Sequence, residues 1–174
     1  NRRGHPAGQG SEHAGRPRSG AHDRPHRAGL HAHALDRLRR EINALPDPVR
    51  RKLTLENDDR SYTPSDLLPL CRELEIPFTY DVHHHRVNPD HLTIEEATRA
   101  AAETWHSRKI PPHVHLSSPQ LPWGVPGDHR PHADWIDPTD FPECWRGMKL
   151  TVDVEAKKKE TAIAALRNAL GPDF

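Results

Sequence analysis

Carboxylates and imidazoles recur in this chain where short apolar runs end. Leu53-Thr-Leu55 runs into Glu56, with Asp58 and Asp59 just behind. Phe78-Thr-Tyr80 runs into Asp81, and His83, His84 and His85 follow Val82. His113-Val-His115 leads into Leu-Ser-Ser-Pro119, and residues 150–154 lead into Glu155. Strands that each deliver an acid or an imidazole near their C-terminal end are what a metal site at the top of a parallel α/β barrel needs. Without a cation such a cluster is costly. Two carboxylates about 4 Å apart repel by roughly 4 kcal/mol at an effective dielectric near 20, and a third drives one of them to take a proton. Mixed carboxylate and imidazole donors suit manganese, zinc or iron better than magnesium or calcium. More than four candidate ligands point to more than one ion, the arrangement that binds both the attacking and the leaving oxygen of a phosphodiester.

Each candidate has a plainer reading. Asp58 and Asp59 read better as a solvated acidic turn, whereas Glu56 sits at the strand end itself. Of three consecutive histidines at most one or two can face the site of Asp81, which leaves His83 or His85 to pack or hydrogen-bond behind it. His113 and His115 share one strand face, and so do Asp153 and Glu155. His132, in Pro131-His-Ala-Asp134, lies in a loop, where histidine is more often solvated than ligating.

These residues need strands and helices to hold them. Helical spacing begins near Ala32, with Leu35, Leu38, Ile42 and Leu45, and Pro46-Asp-Pro48 ends it. Strands are expected over residues 52–55, 78–82, 114–117 and 149–154. Thr63-Pro-Ser-Asp66 and Thr93-Ile-Glu-Glu96 are capping boxes that open the helices between them. A long loop spans residues 118–138, a short helical turn is expected over 140–145, and a last helix over 157–170 ends at Gly171. The alternation predicts parallel strands with right-handed crossovers. Four strands make half a barrel, which leaves two open edges.

Composition sets bounds. At 174 residues the chain holds one ordinary domain but not a whole eight-stranded α/β barrel. Residues 1–50 carry ten Arg and five acids; residues 51–174 carry fifteen Lys and Arg against twenty acids. The part with hydrophobic periodicity is thus net acidic, unlike a passive nucleic-acid binder. Residues 1–29 contain no Leu, Ile, Val, Met, Phe, Tyr or Trp. A disordered low-complexity arm is expected over residues 1–31, and a partial barrel over residues 32–174. The arm's composition is also what a shifted reading frame joined to a real domain would give. Cys71 and Cys144 form no framework and no CxxC pair, so a reducing, cytoplasmic setting is expected. No apolar run approaches the length of a membrane span, and a monomer is expected.

Leu-Glu-Asn-Asp at 55–58, Tyr-Asp-Val-His-His-His at 80–85, His-Leu-Ser-Ser-Pro at 115–119, Pro-His-Ala-Asp-Trp-Ile-Asp at 131–137 and Val-Glu-Ala-Lys-x-Lys-Glu at 154–160 resemble the UV damage endonuclease family. The resemblance runs from about Leu35 to about Leu170. It implies the C-terminal half of a TIM-type (β/α)8 barrel related to endonuclease IV, with two or three ions of manganese in the complete site. It implies incision of double-stranded DNA on the 5′ side of UV lesions, leaving a 3′-hydroxyl. Carried over by motif, Glu56, Asp81, His84, His115, His132 and Glu155 are metal ligands, with Glu56, Asp81 and Glu155 catalytic. The family's first four strands, with two further His ligands, have no counterpart in residues 1–34. His113 stands where the family often has Lys. Arg60, Arg86, Lys109 and Arg130 are candidate phosphate contacts, and Lys157 and Lys158 stronger ones. Trp123 and Trp135 would stack on bases or pack under the loop. A metal-dependent sugar isomerase or epimerase barrel, and a non-catalytic fragment, are the alternatives.

Overall fold

The computed structural model describes the backbone of residues 24–171 and the side chains of residues 31–171. The chain divides into two units, Asn1–Asp36 and Arg37–Phe174. Of the first, the described residues are the opening turns of helix α1 (Arg24–Ala44). That helix starts eight residues before Ala32, where periodicity alone placed it. Pro25 falls in its first turn, where a missing N–H costs nothing. Most of the arm expected over residues 1–31 lies outside the described residues.

The second unit alternates strands and helices in the expected order. After α2 (Asp47–Arg50) come β1 (Leu55–Glu56), α3 (Pro64–Leu74), β2 (Phe78–Asp81), α4 (Val82–Val87), α5 (Ile94–Thr104), β3 (His113–Leu116), β4 (Thr151–Val154) and α6 (Lys159–Leu170). The strands form one parallel sheet in the order β1-β2-β3-β4. β1 and β4 are its edges, with no further partner strand among the described residues. No helix among the described residues is long and apolar enough to cross a membrane.

Both capping boxes form, at Thr63 with Asp66 and at Thr93 with Glu96. Other boundaries differ from expectation by one to three residues, as in β3 (His113–Leu116 rather than 114–117) and β4 (Thr151–Val154 rather than 149–154), and two of the shifts have a clear local reason. β1 is Leu55–Glu56 rather than 52–55, because Leu55 pairs with Phe78 and the next rung down would need an N–H from Pro77. β2 stops at Asp81, whose carboxylate caps the following helix, so Val82 and the three histidines are helical rather than extended. α6 starts at Lys159, with Lys157 and Lys158 in the turn before it.

The outward sheet face is apolar. Phe78, Tyr80, Val114 and Leu116 are buried there, with Leu67, Leu68, Cys71, Ala97, Ala101, Trp105 and Trp145 in the same core. Polar ends inside this core are paired. The Trp105 indole N–H donates to the carbonyl of Phe78 at 2.8 Å, and the Phe78 N–H donates to Thr104 Oγ1 at 2.8 Å, which ties the end of α5 to the start of β2. The Trp145 indole N–H donates to the buried Thr98 Oγ1 at 2.8 Å. Thr98→Val leaves that N–H without an acceptor, and unfolding in urea should show a loss of about 1–3 kcal/mol. The double variant Thr98→Val/Trp145→Phe, which removes donor and acceptor together, should recover part of it.

Candidate metal centre

The sheet register builds the site. Asp81 pairs with His115 and His115 with Asp153, so these three side chains stand at one level on the face turned away from the helices. Glu56 starts one level lower, opposite Thr79, and its longer side chain reaches up. Glu155 lies two residues beyond Asp153 on the same face. The outcome is a contiguous cluster. His115 Nδ1 is 3.1 Å from Glu56 Oε1, 3.4 Å from Glu155 Oε1 and 4.0 Å from Asp81 Oδ2. His84 Nδ1 is 3.5 Å from both Glu56 Oε1 and Asp81 Oδ2. His132 Nδ1 is 3.5 Å from Glu155 Oε2. The chain thus brings together all six side chains that the family resemblance implies as ligands.

The helical turn of α4 explains how three adjacent histidines do three things. About 100° separates successive side chains. His84 faces the acids, and its Nδ1 lies 2.9 Å from the Asn57 carbonyl. A carbonyl only accepts, so that nitrogen carries a proton. His85 turns back into the core. Its Nε2 donates to Asp90 at 3.0 Å and its Nδ1 accepts from the Tyr80 hydroxyl at 2.7 Å. Asp90 also accepts backbone N–H bonds from Ser65 and Leu92, which anchors α4 to the start of α3. His83 is fully buried, with its ring 5.1 Å from that of His132 and 5.6 Å from that of Trp123. It packs the long loop onto α4.

That loop carries His132 to the site. Pro119 and His132 form an antiparallel bridge. The Gln120 N–H donates to the Pro131 carbonyl, and the Ala133 N–H to the Ser118 carbonyl. The backbone N–H groups of Lys157 and Lys158 donate to the carbonyls of Ala133 and Asp134, so the loop is pinned against the strand end that bears Glu155. None of this was legible in a loop read by composition.

The residues fit a divalent cation. Asp81 is fully buried. Its Oδ1 accepts the His84 N–H at 2.8 Å, while its Oδ2, aimed at the cluster, has no hydrogen-bond partner. A buried carboxylate oxygen left unpaired is expensive unless an ion occupies the space beside it. Glu56, Asp81 and His115 each offer a ligand atom, and these atoms lie within 4.8 Å of one another. Burial pushes the Asp81 carboxyl up to about 6, against the opposing charge and N–H of His84 and with help from Glu56 and Glu155. For His115 burial works against the charged ring, but the hydrogen bond to Glu56 and the charges of Glu56, Glu155 and Asp81 outweigh it and raise the ring to about 9. Burial among His132 and His84 lowers His83 to about 4. The protonated His115 is therefore the stand-in counter-ion of the cation-free cluster.

Other candidates are placed differently. Arg86 is held inside the structure, its guanidinium 2.9 Å from the Asp140 carbonyl and 3.2 Å from Asp140 Oδ1. The Trp123 indole N–H donates to the same carboxylate at 2.7 Å, which favours packing over base stacking for that ring. Arg130 forms a two-pronged pair with Asp128. Arg60 lies 3.6 Å from Asp59. Asp58 is not merely solvated: its Oδ1 accepts the N–H groups of Arg60, Ser61 and Tyr62 and shapes the turn after β1. Lys157, Lys158, Lys109 and Trp135 are exposed. Sequence reasoning missed Asn57. It is buried, and its amide donates to the Asp81 carbonyl at 2.9 Å and accepts the Asp81 N–H at 3.0 Å, continuing the β1–β2 ladder with a side chain. Its one signal was an amide following the strand-end acid.

A pH dependence follows. The folded pKa of His115 lies above the ordinary 6.5, so its contribution to stability is complete below pH 6.5 and is lost as pH rises through about 9. Without divalent cations the chain should lose stability over that window in denaturant titrations, and His115→Gln should flatten the loss. An unchanged slope in the variant would assign the loss to other groups.

Comparison with known proteins agrees with this geometry. The profile of the UV-endonuclease UvdE family matches residues 26–172. The chain is 34% identical over 143 residues to a UV DNA damage endonuclease of Bacillus cereus (strain G9842), a match over 79% of this chain and 44% of that protein. It is 39% identical over 143 residues to the enzyme of the same name in Bacillus cereus (strain B4264), and 35% identical over 139 residues to that of Bacillus velezensis (strain DSM 23117 / BGSC 10A6 / LMG 26770 / FZB42). The chain thus spans less than half the length of these relatives. Among solved structures, one titled "Crystal Structure of SacUVDE" superposes with a TM-score of 0.68 at 23% identity, covering 80% of this chain and 46% of that one; this likeness concerns the fold. Nothing in these matches supports a sugar isomerase. A parallel α/β sheet with acids and imidazoles gathered at its strand ends, and a family profile matched along most of the sequence, place this chain in the UV-endonuclease UvdE family.

Proposed function

We propose that this chain supplies metal-binding catalytic residues of a DNA repair endonuclease that cuts the phosphodiester backbone 5′ to UV photoproducts. The observation that carries the reading is the unpaired, buried Asp81 Oδ2 facing Glu56 and His115. Bound divalent ions, for which manganese suits the mixed carboxylate and imidazole donors, would neutralise phosphate charge and acidify a water molecule.

The chain's own residues prepare that chemistry. Asp81, Glu56 and His115 form the floor, and Glu155 with His132 the side nearer the long loop. The Asn57 carbonyl holds the proton of His84 on Nδ1 and leaves Nε2 for coordination. Glu56 and Glu155 are partly open to solvent, where a phosphodiester would approach. Lys157 and Lys158 are exposed beside Glu155 and free of the internal pairs that hold Arg86 and Arg130. They are the cations suited to hold flanking phosphates.

The test is incision of a UV-irradiated oligonucleotide duplex by this chain with manganese. Cuts on the 5′ side of the lesion should leave a 3′-hydroxyl, vanish with chelator, and vanish in Glu56→Ala. Lys157→Ala/Lys158→Ala should weaken DNA binding and reduce its salt slope by about 1–2. Equal cutting by Glu56→Ala would remove the proposed site. Uncut DNA with folded, metal-loaded protein would confine this chain to metal binding.

A further inference from the structure

Behind His115 stands a carboxylate that the cluster does not use. Asp153 shares the level of His115 in the sheet register. Its Oδ2 lies 3.7 Å from His115 Nε2 and 3.7 Å from His113 Nδ1. His115 therefore has acids on both sides: Glu56, Glu155 and Asp81 around Nδ1, and Asp153 at Nε2. An imidazole that binds a cation gives up one proton and keeps the other, and the group facing the second nitrogen decides which.

We propose that Asp153 is a positioning residue that retains the proton on His115 Nε2 and so delivers the Nδ1 lone pair to a cation held by Glu56, Asp81 and Glu155. The inference rests on the metal reading above. A carboxylate behind the ring fixes its orientation and makes Nδ1 more basic. His113 steadies the carboxylate from the other side, because its own ring is stacked on the buried Trp105 at 4.9 Å with an angle of 11° between planes. Both contacts of Asp153 are longer than a direct hydrogen bond. The side chain is 54% exposed and free to turn toward either ring. Asp153 and His113 thus acquire a role without coordinating anything themselves.

The experiment uses the whole chain, 15N-labelled, with Zn2+ as a diamagnetic probe, and reads Zn2+ affinity by calorimetry and the His115 ring by NMR. In the wild type His115 should coordinate through Nδ1 and show a slowly exchanging Nε2 proton. Asp153→Leu should lose that protection and bind Zn2+ about 10–100-fold more weakly. Asp153→Asn, which keeps an acceptor oxygen, should recover most of the affinity. Because Asp153 is half-exposed, circular dichroism should report an unchanged fold in both variants. Coordination through Nε2, or wild-type affinity in Asp153→Leu, would overturn the proposal. If Glu56→Ala abolishes binding while Asp153→Leu leaves it intact, only the role of Asp153 falls. If the wild type takes up no Zn2+, the metal reading falls and this inference with it.

Discussion

The structure around the site depends on one buried carboxylate. Asp81 has no solvent exposure, and one of its oxygens is spent on the N–H that starts α4. That bond turns the chain from strand to helix, and the turn sends His84 to the acids and His85 to the core. The other oxygen is left unpaired beside Glu56 and His115. The same residue therefore sets the backbone path and leaves the electrostatic vacancy that a cation would fill. Burial of a charge without a partner costs several kcal/mol. In the cation-free chain the imidazolium of His115 offsets part of it, so a cation bound here would compete with a proton for one nitrogen.

The scaffold spends many groups on orientation. Asn57 replaces a strand rung with its amide and holds Asp81 by both backbone groups, and its carbonyl fixes the His84 proton. Tyr80, His85 and Asp90 form a relay of hydrogen bonds that locks α4 to the start of α3. Arg86, Asp140 and Trp123 tie the same helix to the long loop, with His83 filling the space between. A ligand misplaced by a fraction of an ångström loses much of its value, and locked side chains avoid that loss. The buried polar groups here are thus explained by the cluster they hold in place.

How much of this was legible in the sequence depended on the range of the signal. Local rules sufficed for the capping boxes at Thr63 and Thr93, the alternation of strands and helices, and the placing of acids and imidazoles near strand ends, because alternation and capping act over a few residues. Boundaries moved where a neighbouring strand decided them, as at Pro77, which cuts β1 short. The sequence left His83 or His85 to pack or hydrogen-bond behind the site, but which partner each takes, and the fate of Asn57, were illegible, since each depends on a group that local spacing does not reveal: a loop ring, an acid beyond the helix, and a backbone 24 residues away. His132 was undecidable as a loop residue until the Pro119 bridge placed it beside Glu155. Arg86 and Arg130 looked like free cations because sequence shows charge and not the acids that take it up.

Charge bears on the same question from the substrate side. The sheet face presents Glu56, Asp81, Asp153 and Glu155, so an anionic backbone would be repelled from the cluster where the proposed cutting would take place. All three candidate arginines, Arg60, Arg86 and Arg130, already answer acids of their own chain. Lys157 and Lys158 add positive charge at the edge, beside Glu155 but not within the cluster. A cation between these acids and a phosphodiester would remove that repulsion. Under the proposed function, a need for metal would follow from the arrangement of negative charge as much as from the donor chemistry of the side chains.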